Sequence, residues 1–278
     1  MPITCKLVGI NRKACLSANI SANTIETPQN ISLGNHLFQI ASTIGIAKMN
    51  NLSASFPEIN KFKHHWGEAI TNSVFRNLNK NRINIEHQWA NEVNCTCFYN
   101  VKCEDNTKIV GYLQSYKYFD FCRDDILKIF ETPYEIKTYI FNKYCMSPNT
   151  VSISVHIRRG DYLSEKCELN DDYYARAITF VVSKIQTDYK IFICSDDIEW
   201  CKTHILNDKC IYVENEETHI DLYIMSLCDH NIISNSTFSW WSAYLNQNNE
   251  KIVVYPKKWG SMYTHDVSDL LPDSWIEI

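Results

Sequence analysis

From residue 151 onward the chain repeats one pattern: a short apolar run, a polar turn, then a stretch with helical spacing. Val151–Ile157, Tyr189–Cys194, Cys210–Glu214, Asn231–Ser234 and Ile252–Tyr255 read as strands. Asp171–Gln186, Ile198–Leu206, His219–Asp229 and Thr237–Asn246 read as the helices between them. The first of these helices opens on acidic residues and carries Tyr174, Ile178, Val181, Val182 and Ile185 at helical spacing. Strands that alternate with helices imply right-handed crossovers and a parallel sheet covered on both faces. The expected class is therefore α/β, with a doubly wound parallel sheet in the C-terminal half.

That class says where to look for chemistry. Val151–Ile157, alternating apolar and polar residues, runs into Arg158, Arg159, Gly160 and Asp161. Asp196 and Asp197 follow the second strand, and Asn235, Ser236 and Thr237 follow the fourth. All three clusters fall at carboxyl ends of strands, the edge where doubly wound sheets bind ligands. Two guanidiniums offer planar forks of N–H donors that match phosphate oxygens. The net charge of −5 argues against a general nucleic-acid binder, and a basic pocket in an acidic protein fits a small anionic substrate.

The first half is less regular. Lys6–Ile10 reads as a strand, Asn11–Asn30 as a polar loop, and Leu33–Met49 as a helix opened by Gly34 and Asn35. Further helices are expected near Glu68–Leu78 and Arg123–Lys143, with aromatic segments such as Gly111–Tyr116 between them. A length of 278 residues suggests two domains, and Pro148-Asn149 is the natural boundary, giving 1–148 and 149–278. No apolar stretch is long enough to span a membrane, so the expectation is a soluble cytoplasmic chain, or a luminal one if an anchor has been removed. None of the 12 cysteines forms Cys-x-x-Cys, and most read as small buried hydrophobes. Cys95, Cys97 and Cys103 with His87 are poorly spaced for zinc.

Each cluster also has a plainer reading. Arg158 and Arg159 could form surface ion pairs, although Gly160 beside them permits close backbone approach. The Arg159-Gly160-Asp161 tripeptide sits at a buried strand's exit, a poor place for an integrin ligand. Gly34-Asn35 could bind an anion at a helix start or simply enter the helix. Asp196 and Asp197 could touch a nucleobase or ribose, or cap the next helix. Hydroxyls and amides from Ser234 to Ser239 could bind phosphate or sugar, while Trp240 and Trp241 read as core aromatics. The formal glycosylation sequon Asn235-Ser236-Thr237 lies in a turn expected to be buried. No Asp-x-Asp, P-loop or Gly-x-Ser-x-Gly element is present.

At these residues the chain resembles the inverting α-1,2-fucosyltransferase family, glycosyltransferase family 11. His156-Ile157-Arg158-Arg159-Gly160-Asp161-Tyr162 resembles its His-x-Arg-Arg-x-Asp signature. Leu33–Ala41 resembles its N-terminal Gly-Asn segment, with His36 where glutamine is usual and Ile31-Ser32 where further glycines are usual. Asn231–Trp241, preceded by Asp221-Leu222-Tyr223, resembles its C-terminal segment. The resemblance implies a GT-B-like fold of two Rossmann-like domains facing a cleft. GDP-fucose, a substrate, would bind mainly to the C-terminal domain, with no metal or other cofactor. Arg158 would hold the β-phosphate, with His156 and Arg159 in support. Gly34 and Asn35 would meet the diphosphate from the opposite domain. Asp196 would face guanine or ribose, and Asn235, Ser236, Thr237 and Phe238 would line the nucleotide. The implied reaction is a single inverting displacement onto a galactose-containing glycan, at its 2-OH. Asp161 is the candidate base, with Glu68 or Glu86 as first-domain alternatives. The rival readings are a nucleotide- or glycan-binding homologue with weakened catalysis, and a transferase using another nucleotide sugar.

Overall fold

The computed structural model describes residues 14–18, 32–57, 59, 63–81, 86–90, 96–259 and 267–278. Among them are two sheets, each parallel throughout. The first is built from β1 (Ala14–Ala18), β2 (Leu52–Ser55), β3 (His87–Ala90) and β4 (Thr107–Val110), in the order β2-β1-β4-β3. The second contains β5 (Val151–Ile157), β6 (Tyr189–Ser195), β7 (Cys210–Tyr212), β8 (His230–Ile232), β9 (Val253–Tyr255) and β10 (Ile276–Glu277), in the order β10-β9-β8-β5-β6-β7. The helices are α1 (Leu33–Met49), α2 (Lys63–Ser73), α3 (Arg123–Ile129), α4 (Tyr134–Tyr144), α5 (Gly160–Glu165), α6 (Asp171–Val182), α7 (Ile198–His204), α8 (Thr218–Leu227) and α9 (Thr237–Leu245). In the second sheet β6 and β7 step away from β5 on one side, and β8, β9 and β10 continue on the other. The winding reverses between β5 and β8, which makes their carboxyl ends the expected ligand crevice.

The alternation in β5 proves to mark two kinds of buried face, because Ser152 to Ile157 are all buried. Ile153, Val155 and Ile157 pack into an apolar cluster with Tyr174, Ala177 and Val181 of α6. The polar residues each find a partner. Ser152 Oγ donates to Asp229 Oδ2 at 2.7 Å, and Ser154 Oγ accepts from Asn231 Nδ2 at 2.7 Å. His156 Nδ1 shares a 2.8 Å hydrogen bond with Ser234 Oγ. Left unpaired, each buried group would cost about 1–3 kcal/mol, so this ladder helps to specify β8 as the neighbour of β5.

Three sequence expectations need correction. The loop expected over Asn11–Asn30 contains β1, which gains its order from pairing with β2 on one side and β4 on the other. The helix expected over Arg123–Lys143 is two helices, because Pro133 caps α4 and cannot continue a preceding helix. The six-residue α5 was missed: none of its residues is buried, so it leaves no hydrophobic period. The strand expected at Lys6–Ile10 lies outside the described residues.

α1 and α9 join the two halves. Phe38 of α1 packs on Trp240 and Trp241 of α9, with ring centroids 4.4 and 5.2 Å apart. Phe119 stacks on Trp241 at 5.4 Å and Tyr244 on Trp240 at 5.0 Å. The Trp240 indole N–H donates to Leu270 O at 2.8 Å. Both tryptophans are fully buried, the core role expected of them. Gly45, in the same helix, lies against the turn at Tyr118; a Cβ there would sit 1.8 Å from Tyr118 O. Gly45→Ala should therefore destabilise the fold by about 1–3 kcal/mol or more. Thermal unfolding should show this as a drop of several degrees in Tm; an unchanged Tm would mean that α1 is not seated on this turn.

Candidate functional site

Beyond Ile157 the chain leaves the sheet, and the two arginines take different surroundings. The Arg158 guanidinium lies between two carboxylates, with Nη2 2.8 Å from Asp161 Oδ1 and Nη1 2.9 Å from Asp196 Oδ2. Arg159 turns the other way. Its Nε donates to Asp197 Oδ2 at 3.0 Å, and its guanidinium lies 3.9 Å from the centre of the Trp200 ring. The Arg159 backbone N–H donates to Asp196 Oδ1 at 2.8 Å. Asp196 therefore gives one oxygen to each arginine residue. Asp197 caps α7, accepting from Trp200 N at 3.2 Å, and also holds Arg159. A Cβ on Gly160 would come within 2.6 Å of Asp196 Oδ2, so the glycine is what allows this approach.

Two helix starts meet close to the turn after β8. Ser32 caps α1 and Ser236 caps α9. The helices meet at Gly34, where a Cβ would lie 2.4 Å from Thr237 C and 2.5 Å from Phe238 N. Only a glycine lets the two N-termini approach this closely, and two positive dipole ends then share one place. Asn35 Oδ1 accepts from Thr237 Oγ1 and from Gln114 Nε2, both at 2.8 Å. With its oxygen engaged on both sides, the amide is oriented and its NH2 is left to donate.

Buried polar groups support this edge. His156 is pushed down to about 3, first by burial and then by the charge of Arg158, so its ring is neutral at physiological pH. Its ring also packs 5.5 Å from Phe238. Tyr162 OH donates to Asn235 O at 3.1 Å and lies beneath Arg158, whose guanidinium is 5.7 Å from the ring centre. Asn235 Nδ2 donates to Cys167 O at 2.8 Å, which ties the segment after α5 to the turn after β8. Asp221, in the first turn of α8, has an Oδ1 buried without a hydrogen-bond partner among the described residues. Burial, then the charge of Glu216, pushes its carboxyl up to about 7.

The structure thus gathers His156, Arg158, Arg159, Asp161 and Asp196 at the ends of β5 and β6 and Gly34, Asn35, Ser236 and Thr237 at the joined starts of α1 and α9; His156 packs on Phe238, and Tyr162 bonds to Asn235. Glu68 is exposed on α2 and Glu86 is exposed just before β3. Of the cysteine group, Cys97 and Cys103 are free thiols and Cys95 lies outside the described residues. An open groove of about 700 Å³ is lined by Lys48, Asn51, Asp120, Phe121 and Asp125. It lies at the far end of α1, roughly 20 Å from Asn35 at 1.5 Å per residue. The sequence assigns no role to Gln114, Tyr162 or Trp200, because nothing local distinguishes them from ordinary polar or core residues. Asp221 stands in the sequence as part of Asp221-Leu222-Tyr223, but its burial cannot be read there.

This arrangement suits an anion held between an arginine fork and two helix starts. Comparison with known proteins gives the family. O-antigen biosynthesis glycosyltransferase WbnK of Escherichia coli is 35% identical over 225 residues, covering 75% of this chain and 72% of that protein. An α-1,2-colitosyltransferase of Escherichia coli is 30% identical over 190 residues, 64% of this chain and 65% of its own. A galactoside 2-α-L-fucosyltransferase of Caenorhabditis elegans is 26% identical over 246 residues, 79% of this chain and 68% of its own. Residues 3–278 match the model of glycosyl transferase family 11, and the chain belongs to that family.

Proposed function

We propose that this chain transfers L-fucose from GDP-fucose to the 2-OH of a galactoside, with inversion and without a metal. The observation that carries this reading is the placement of Arg158 at the end of β5 at the β5–β8 switch point, where the turn after β8 opens α9, whose N-terminus is joined to that of α1. The fold is read as GT-B-like, with 1–148 as the acceptor side and 149–278 as the donor side. In support, every strand of the first sheet ends by Val110 and every strand of the second begins at or after Val151.

In the proposed reaction the acceptor oxygen attacks C1 of fucose as the bond to the diphosphate breaks. Negative charge then grows on the departing phosphate while the sugar becomes oxocarbenium-like. Arg158 meets that charge with N–H donors fixed before the reaction, which is how such groups lower a barrier. In the free protein the arginine is already paired, so an incoming diphosphate must displace a carboxylate. Asp161, whose side chain is 52% exposed, is the one released more readily than Asp196, at 25%. Once released, Asp161 can take the proton of the acceptor hydroxyl. The Asn35 NH2, the Ser236 hydroxyl and the helix N–H groups receive the diphosphate from the other side, with Thr237 orienting the Asn35 amide, Gly34 holding the helix starts close and Asn235 and Phe238 completing the nucleotide site. His156 serves as a neutral hydrogen-bonding group beneath Phe238. A donor sugar other than fucose is the second reading, favoured by the 30% identity to a protein named for colitosyl transfer.

Arg158→Ala should lower kcat by roughly 10²–10³-fold in a GDP-fucose assay with β-galactosides. Activity close to wild type would remove Arg158 from the reaction. Wild-type activity should survive excess EDTA; loss on chelation with recovery on adding Mn²⁺ would contradict the metal-free chemistry. A third test uses pH. His156 binds its proton only near pH 3 in the folded chain, against 6.5 ordinarily, so the unfolded chain takes up a proton first on acidification. Stability should therefore fall as pH drops below about 6.5. His156→Gln cannot take up that proton and should show a shallower fall in its urea midpoint between pH 7 and 5. Parallel profiles would show that His156 is not held neutral.

A further inference from the structure

The two adjacent arginines have divided their work, and Trp200 is the residue that keeps them divided. Its ring lies 3.9 Å from the Arg159 guanidinium and stacks on His204 at 4.3 Å, 11° from parallel. Arg159 prefers the face of this ring to water because an aromatic face attracts a cation and a guanidinium is weakly hydrated. The contacts then close into a loop. Arg159 Nε donates to Asp197 Oδ2, and Asp197 Oδ1 accepts from the backbone N–H of Trp200. With both ends of the Arg159 side chain tethered, its backbone N–H is aimed at Asp196 Oδ1, and Asp196 Oδ2 holds Nη1 of Arg158. The side chain of Arg159 is only 15% exposed, against 34% for Arg158, so one guanidinium is stowed and the other presented.

We infer that Trp200 is a positioning residue for diphosphate recognition: it holds Arg159 away from the ligand and, through Arg159 and Asp196, sets the aim of Arg158. The inference deepens the donor-binding reading above and rests on it. Without the ring, Arg159 loses its seat and is free to swing toward the carboxylates that now align Arg158. The substitution leaves the α7 cap in place, because Asp197 accepts from the Trp200 backbone and not from its side chain.

The test is GDP binding by calorimetry together with donor and acceptor kinetics for Trp200→Ala, Trp200→Phe, Arg159→Lys and the Trp200→Ala/Arg159→Lys double variant. Trp200→Ala should weaken GDP and raise the donor KM about 10-fold, with the acceptor KM unchanged. Trp200→Phe keeps an aromatic face and should recover most of the affinity. Arg159→Lys keeps the charge but loses the planar fork, and should resemble Trp200→Ala. The double variant should be no worse than either single, because both break one chain of contacts. Wild-type GDP affinity in Trp200→Ala would overturn the inference, as would Trp200→Phe failing as badly as Trp200→Ala at an unchanged Tm. Additive losses in the double variant would also overturn it, since Arg159 would then bind phosphate independently of the ring. If wild type itself binds no GDP, the donor reading fails and the inference falls with it; if wild type binds and Trp200→Ala binds equally, the inference alone fails.

Discussion

The packing of α1 against α9 is the contact on which the site depends. Phe38, Phe119, Tyr244 and the two tryptophans form a buried aromatic cluster, in which each ring pair adds about 0.5–1.5 kcal/mol beyond the area it buries. The same two helices touch at their first turns, where Gly34 leaves no gap before Thr237 and Phe238. A side chain at that glycine would separate the two helix N-termini. Core packing and anion geometry are therefore set by one pair of helices: the tryptophans fix their spacing, and the glycine brings their positive ends into the same place.

At the ends of β5 and β6 the two arginines are partly neutralised. Arg158 and Arg159 are met by Asp161, Asp196 and Asp197, so the free site holds three carboxylates for two guanidiniums. An arginine aimed in advance by carboxylates loses less freedom when a phosphate arrives, although the phosphate must first displace one of them. Stacking on Trp200 separates the stowed arginine from the presented one, a distinction that two neighbouring letters in a sequence do not carry. His156 extends the same logic into the core, where burial keeps it uncharged beside a permanent cation.

Much of this was legible in the sequence where the pattern is local. The strand–helix alternation after residue 151 places Arg158, Asp196 and Ser236 on one edge, and the observed strand order puts them there. Leu33–Met49 is a helix between the residues its periodicity marks. The failures share a cause. β1 is ordered by two neighbouring strands, α5 buries nothing, and the break at Pro133 was overlooked within a periodic stretch. The partners of the polar residues of β5, Asp229, Asn231 and Ser234, lie about 80 residues away, beyond the reach of a local pattern.

The amino-acid sequence by itself determined the α/β class of the second half, the edge on which the chemistry sits and the family, because hydrophobic period and motif order are properties of neighbouring residues. Tertiary structure alone decided how Gly34 meets Thr237, which arginine faces the crevice, and that His156 is neutral. Those outcomes turn on distances of a few ångströms between segments up to about 200 residues apart, and on burial, which sets the electrostatic cost of a charge only once the chain has folded around it.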